Sequence, residues 1–207
     1  MNNKVDLDAG IDFLKRDKIM GVLIKKFGRP DLNIGQDYFQ SLFRSIVFQQ
    51  LSGEAAQTIY KRLVNLIKET SNLCPNEVLK LDKDDMRNAG LSFQKINYVR
   101  NLADYFENNS FKKKDVERMT DEEISKELTQ IKGIGQWTVD MFLMFTLNRA
   151  DILPYKDLGI QKGIMKIFKM KNLPSKKEME NCSKKWRPFR TIACWYLWRM
   201  TDDKFAK

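Results

Sequence analysis

The stretch LTQIKGIGQWTVDMFLMFTLNRADILPYKDLG, residues 128–159, decides how this chain is read. A short turn, Lys132-Gly133-Ile134-Gly135, sits between two helical patterns. The apolar run after it predicts a helix over Gln136–Leu147, and a loop closing at Pro154 then delivers Asp157 to an amphipathic stretch, Leu158–Met170. Glycines at 133 and 135 permit positive φ and put no side chain between backbone N–H groups and an incoming anion. Those N–H groups lie at the start of the following helix, where unsatisfied donors and the macrodipole favour a phosphate oxygen. A bare G-x-G between helices is, by itself, an ordinary αα-turn. Its company gives it more meaning: a basic chain, an aromatic just past the turn and a carboxylate downstream.

The composition bounds the partners. Lys and Arg number 37 against 27 Asp and Glu, a net charge of +10, which concerns association rather than fold and makes nucleic acid the leading partner. A hydrophobic content of 43% with 11% aromatic excludes wholesale disorder. The chain has no histidine, which removes imidazole acid–base catalysis, imidazole metal ligation and imidazole pH switching together. Cys74, Cys182 and Cys194 are scattered without a C-x-x-C, so reduced thiols are expected and no zinc site. No signal peptide and no membrane-length apolar run is seen, so the reading is intracellular (cytoplasm with nucleoid, or nucleus), with no membrane partner.

The remaining elements are also helical. One helical pattern begins near Asp8 and closes at Gly28-Arg29-Pro30-Asp31. Residues 37–51 read as a buried helix through Phe39, Leu42, Phe43, Ile46 and Val47, ending in Gln49-Gln50-Leu51-Ser52-Gly53, where Ser52 suits the cap of the next helix. Residues 75–91 hold two short helical turns, with Asp82 as a cap and Gly90 as a stop. Ser92 opens a helix through Ile96, Val99, Leu102 and Phe106. Lys112-Lys113-Lys114 reads as a solvated basic loop, and Thr120-Asp121-Glu122-Glu123 as a capping box. No period-two alternation and no hairpin dipeptide appears, so the fold class is all-α.

Four segments together resemble the helix-hairpin-helix (HhH-GPD) superfamily of DNA glycosylases, in its 3-methyladenine DNA glycosylase II branch for alkylated bases. They are LTQIKGIGQWTVDMFLMF with DILPYKDLGIQKG, SIVFQQLSGEAAQTIYKRL at 45–63, AGLSFQKINYVRNLA at 89–103 and WRPFRTIACWYLWRM at 186–200. The likeness spans roughly residues 38–200. It implies a single glycosylase domain over 1–207 built as two helical lobes, 36–147 and 1–35 plus 148–207, with an active-site cleft between them. It also implies that the N-terminal segment packs beside the C-terminal helices. The iron–sulfur cluster of some members is not expected, since only Cys182 and Cys194 lie near the C-terminus.

By the same resemblance Asp157 matches the catalytic aspartate. An Asp at that spacing is otherwise a plain helix cap, and the two roles are compatible. Breaking an N-glycosidic bond develops positive charge at the sugar C1′, which a nearby anion stabilises in the transition state. Trp137 and Trp198 match base-pocket tryptophans, with Met141 where relatives place an aromatic and Phe145 beside it; as unselected tryptophans both would be core. Gln50, followed by Leu51, falls at the wedge position that fills the hole left by a flipped nucleotide. Lys132, Gly133, Ile134, Gly135 and Thr138 are expected to grip the DNA backbone. Ser92 and Lys95 fall where the family approaches that backbone, although an N-cap serine and a solvated lysine explain the pair equally well. The resemblance allows a sodium or potassium ion on the carbonyls of Thr129, Ile131 and Ile134, and implies no other cofactor. Trp137 occupies the position of the Schiff-base lysine of bifunctional relatives, and an indole forms no Schiff base. The expected activity is therefore monofunctional hydrolysis of alkylated purines (3-methyladenine and 7-methylguanine type) in double-stranded DNA, by a monomer, leaving an abasic site. The alternatives are a non-catalytic helix-hairpin-helix protein that binds damaged or bent duplex, and a bifunctional lyase.

Overall fold

Side-chain oxygens start most of the helices of this chain. In the computed structural model, which describes residues 4–32, 37–51, 53–67, 73–108 and 116–201, the carboxylates of Asp6, Asp17, Asp37 and Asp82 accept backbone amides at the heads of α1 (Leu7–Leu14), α2 (Lys18–Phe27), α3 (Tyr38–Phe48) and α6 (Lys83–Asn88). Thr120 and Ser175 each form a complete capping box, opening α8 (Asp121–Leu128) and α11 (Lys176–Ser183). Each cap satisfies an otherwise orphan donor and contributes about 1 kcal/mol. The other helices are α4 (Gly53–Leu66), α5 (Pro75–Lys80), α7 (Phe93–Asn108), α9 (Gln136–Phe145), α10 (Leu158–Ile167) and α12 (Arg190–Thr201). Among the described residues there is no sheet, only an isolated antiparallel bridge between Lys4 and Arg149. The all-α expectation holds. No helix among them is long and apolar enough to cross a membrane. The expected cap Ser52 and the run Lys112–Lys114 lie outside the described residues.

The N-terminal pattern, expected as one helix, is two. Asp17 ends the first by starting the second: its Oδ1 accepts the amides of Ile19 and Met20 at 3.1 and 3.0 Å, and its Oδ2 pairs with Lys185 at 2.6 Å. Apolar spacing alone does not register such a break, because the buried face continues across it through Ile11, Leu14, Met20, Leu23 and Ile24.

The chain divides into two compact units, residues 1–35 with 143–207 and residues 36–142, so that the division falls within α9 rather than after it. In the first unit α12 packs against α1, α2 and α10, as the resemblance implied for the N-terminal segment. Seven consecutive residues of α12, Thr191 to Leu197, are buried, so this helix is the axis of its unit. Tyr196 is one of them; its hydroxyl donates to the Gly28 carbonyl at 2.8 Å, and burial pushes its pKa up to about 12. In the second unit α7 packs against α3, α5 and α6, and α3 also packs on α4. Its core is made by Phe39, Leu42, Phe43, Ile46, Val99 and Leu102, all at most 2% exposed. Full burial of each such side chain contributes about 1.5–3 kcal/mol, with the smaller end for valine.

Candidate active site and nucleic-acid interface

Gly133 is the residue on which the hairpin turn depends. Its φ is +109°, and a Cβ there would lie 2.3 Å from Cγ of Tyr98 on α7. Both the backbone conformation and the space exclude a side chain. Gly135 differs from the expectation: it takes no positive φ, is exposed, and has nothing within 4 Å of where a Cβ would sit. It leaves open space where a side chain would stand, directly before α9, and the first amides of a helix have no carbonyl of their own helix to bond. Side chains from elsewhere in the unit support the turn. Gln49 Nε2 donates to the Gly133 carbonyl at 3.0 Å and to Thr138 Oγ1 at 3.4 Å, and Asn101 Nδ2 donates to the Lys132 carbonyl at 3.4 Å.

Gln49, Gln50, Ser92, Lys95, Gly133 and Gly135 line one open cavity of about 660 Å³, together with Ile134, Trp137 and Thr138. The structure thus gathers most of the expected DNA-contacting residues on one surface. Gln50 is exposed and lies in the left-handed region, with φ +56°. Leu51 beside it is 42% exposed. Three residues are engaged differently from what their expected roles suggest. Thr138 is buried, with its hydroxyl accepting from Gln49. The Ile134 amide donates to the Ile131 carbonyl at 2.9 Å. Lys95 Nζ donates to the carbonyls of Val47 and Gln49, at 2.6 Å each, and burial lowers its pKa. Ser92 Oγ accepts the Lys95 amide at 3.2 Å, the cap reading of that residue.

Helix α9 is buried on nearly every side, Thr138 and Asp140 included. From Trp137 to Phe145 only Trp137, Met141 and Phe145 are not buried. These are four residues apart and share one helical face. The result is a narrow stripe of two aromatic rings and a thioether.

Asp157 is both the N-cap of α10 and part of a side-chain pair. Its Oδ1 accepts the Ile160 amide at 2.8 Å and the Trp198 indole N–H at 2.8 Å. Two N–H donors on one oxygen fix the carboxylate's orientation. Gly159 makes room for the pair: a Cβ there would meet Trp198 Cδ1 at 2.9 Å and Asp157 Oδ1 at 3.1 Å. The other face of the arrangement is aromatic, since the rings of Phe145 and Trp198 lie 5.9 Å apart at 33°. Asp157, Trp198 and Phe145 therefore belong to one cluster in the first unit, and the hairpin and Gln50 to one cavity in the second. Sequence reasoning missed Gln49, Tyr98 and Asn101. The only available signal was that Gln49 neighbours Gln50; their partners lie far along the chain, in the hairpin turn and at Thr138.

Comparison with known proteins adds independent findings. Residues 43–188 match the family described as HhH-GPD superfamily base excision DNA repair protein. DNA-3-methyladenine glycosylase 1 of Schizosaccharomyces pombe is 35% identical over 181 residues, covering 86% of this chain and 79% of that protein. The structure of S. pombe 3-methyladenine DNA glycosylase (Mag1) in complex with abasic DNA superposes with a TM-score of 0.83 at 33% identity, covering 93% and 96% of the two chains. That of a Bacillus halodurans DNA-3-methyladenine glycosidase also gives 0.83, at 32% identity and coverages of 99% and 94%.

Proposed function

The chain belongs to the HhH-GPD superfamily of base excision DNA repair proteins, and we propose that it is a monofunctional DNA glycosylase that hydrolyses the N-glycosidic bond of alkylated purines in duplex DNA. The observation that carries this is Asp157, held on one oxygen by the Ile160 amide and the Trp198 indole. A carboxylate fixed in this way is preorganised to stabilise positive charge developing on a sugar C1′ without reorganising during the reaction. The bond from C1′ to the purine nitrogen breaks with its electron pair leaving on the base. A water oxygen bonds to C1′, and Asp157 accepts a proton from that water.

The substrate class follows from charge. A 3-methyladenine or 7-methylguanine carries a positive charge that its departure neutralises, so the base leaves without protonation by a general acid. A chain without histidine suits such leaving groups. Trp137 with Met141 in the second unit, and Phe145 with Trp198 in the first, supply π-faces and a polarisable sulfur suited to an electron-poor base; a cation over an aromatic face gains about 0.5–2 kcal/mol. In the second unit, the open face of Gly135 and the first amides of α9 suit phosphate oxygens, and Gln50 suits insertion into the stack. Lys132 is exposed at the same turn and adds positive charge toward the strand. The carbonyls of Thr129, Ile131 and Ile134 are hard neutral oxygens, a donor set that would suit sodium or potassium, and the Ile131 carbonyl also accepts the Ile134 amide. A cation held there would supply positive charge for phosphate binding.

Trp137 at the position of a Schiff-base lysine supports hydrolysis without strand cleavage. The test is to incubate randomly methylated duplex DNA with the protein and identify the released bases. Free 3-methyladenine and 7-methylguanine are expected, with abasic sites that stay uncut until heated in alkali. Borohydride should trap no protein–DNA adduct. Binding without any released base would leave only a damage-binding protein, and a trapped adduct would make the chain a lyase.

A further inference from the structure

Gln50 stands where a side chain is costly to hold. A non-glycine residue in the left-handed region is strained by about 1–2 kcal/mol, and Gln50 at φ +56° is exposed, with no burial of its own to offset that. The bonds that hold it in place fall on its neighbour. The end of α3 leaves carbonyls without partners in the helix, and the Lys95 ammonium satisfies two of them at once by donating to the Val47 and Gln49 oxygens, each at 2.6 Å. The Gln49 side chain meanwhile ties the same residue to Gly133 O and Thr138 Oγ1 of the hairpin. Residue 49 is therefore fixed at both its carbonyl and its amide, and the peptide that follows is the one leading into Gln50.

We infer that Lys95 is a positioning residue for base flipping: it clamps the end of α3 so that Gln50 is presented for insertion into the base stack. This rests on the glycosylase reading above, in which Gln50 is the wedge. It assigns Lys95 a task other than phosphate contact. An ammonium has three N–H donors, and two of them are spent on carbonyls. The partial burial that lowers its pKa is also the opposite of what a solvated phosphate-reaching lysine shows. The clamp, the wedge and the hairpin all border one cavity, so a shift at residue 49 moves the wedge relative to the surface that grips the strand.

The experiment compares wild type with Lys95→Met, which keeps the stem and removes the ammonium, and Lys95→Arg, which restores donors. Base release is measured in single turnover from a lesion in paired duplex and from the same lesion opposite an abasic site, where the stack is already broken. For Lys95→Met we expect about a tenfold or greater loss on the paired substrate and less than about threefold on the unstacked one, with Lys95→Arg recovering most of the difference. Duplex affinity and its salt dependence should stay near wild type. Equal losses on both substrates would overturn the assignment. So would a weakened affinity with a salt slope reduced by about one, the mark of a lost phosphate contact. Gln49→Leu gives a second route that leaves the ammonium in place, and should show the same substrate difference. A 2-aminopurine beside the lesion reports flipping without any chemistry. Brightening with wild type and not with Lys95→Met supports the clamp even if no base is released, an outcome that would sink the glycosylase reading alone.

Discussion

Asp157 and Gln50 each occupy a turn at the end of a helix, Asp157 before α10 and Gln50 after α3, and each lies in a different unit of the fold. Asp157 has a donor from its own helix as well as a distant one: the Ile160 amide is three residues away, and the Trp198 indole comes from far along the chain. Gln50 is arranged differently. Lys95 reaches the carbonyls before it from 48 and 46 residues away, and the Gln49 side chain bonds a carbonyl 84 residues on. A locally held group keeps its place when the distant partner is removed, whereas a remotely held one depends on the packing of several helices. The two sites should therefore fail in different ways when mutated.

The largest effect is expected at Asp157. Asn caps a helix about as well as Asp, so Asp157→Asn should keep the Ile160 bond and stay within about 1 kcal/mol of wild-type stability. It removes the negative charge, and base release should fall by at least about 100-fold. Single-turnover rates and thermal melting measured on one preparation check both halves. A variant that melts normally and still excises would end the catalytic assignment; one that unfolds would show that the carboxylate's local support had been misjudged.

Trp198→Phe sharpens the same comparison at a smaller scale. The ring that faces Phe145 is largely kept, while the indole N–H to Asp157 Oδ1 is lost. If Trp198 serves chiefly as a π-face for the base, little should change. If its main task is to aim the carboxylate, excision should drop by about tenfold, equivalent to about 1.4 kcal/mol in the barrier, with duplex affinity and 2-aminopurine flipping preserved. An unchanged excision rate would return Trp198 to the pocket-lining role that the resemblance implies.

This division between local and remote support also marks what was legible in the sequence. Asp157, Thr120 and Asp82 were readable because a cap acts on amides within three residues, and Gly133 because a turn between two helices announces itself through glycine. The split between α1 and α2 was not readable. Asp17 sits amid residues that continue the helical period, and the ion pair that helps fix it comes from Lys185. The resemblance puts Lys95 near the DNA backbone and its own sequence suits a solvated lysine; neither shows its bonds, because the two carbonyls it serves lie at the end of a helix that packs on α7 only in the folded unit. The same is true of Trp198: an apolar helix predicts a buried ring, but nothing in the sequence tells which carboxylate its N–H will meet.

The smallest expected effect is the most diagnostic of how Gln50 is held. At φ +56°, glutamine is strained and glycine is not. Gln50→Gly should relieve that strain while adding freedom to the unfolded chain, which costs about 0.4–1 kcal/mol. The net should be a gain of roughly 0.5–1 kcal/mol in unfolding free energy, by denaturant titration, less than the strain alone because the second term opposes the first. Gln50→Ala keeps the strained backbone and so should bring no such gain. Both variants lose the inserted side chain, and both should slow release from paired duplex more than from a lesion opposite an abasic site. Stability and flipping would then move in opposite directions at one residue, as expected where strain is retained for function. If Gln50→Gly is instead destabilised, the amide of Gln50 itself stabilises the folded chain, and the clamp at Lys95 is only part of what holds the turn.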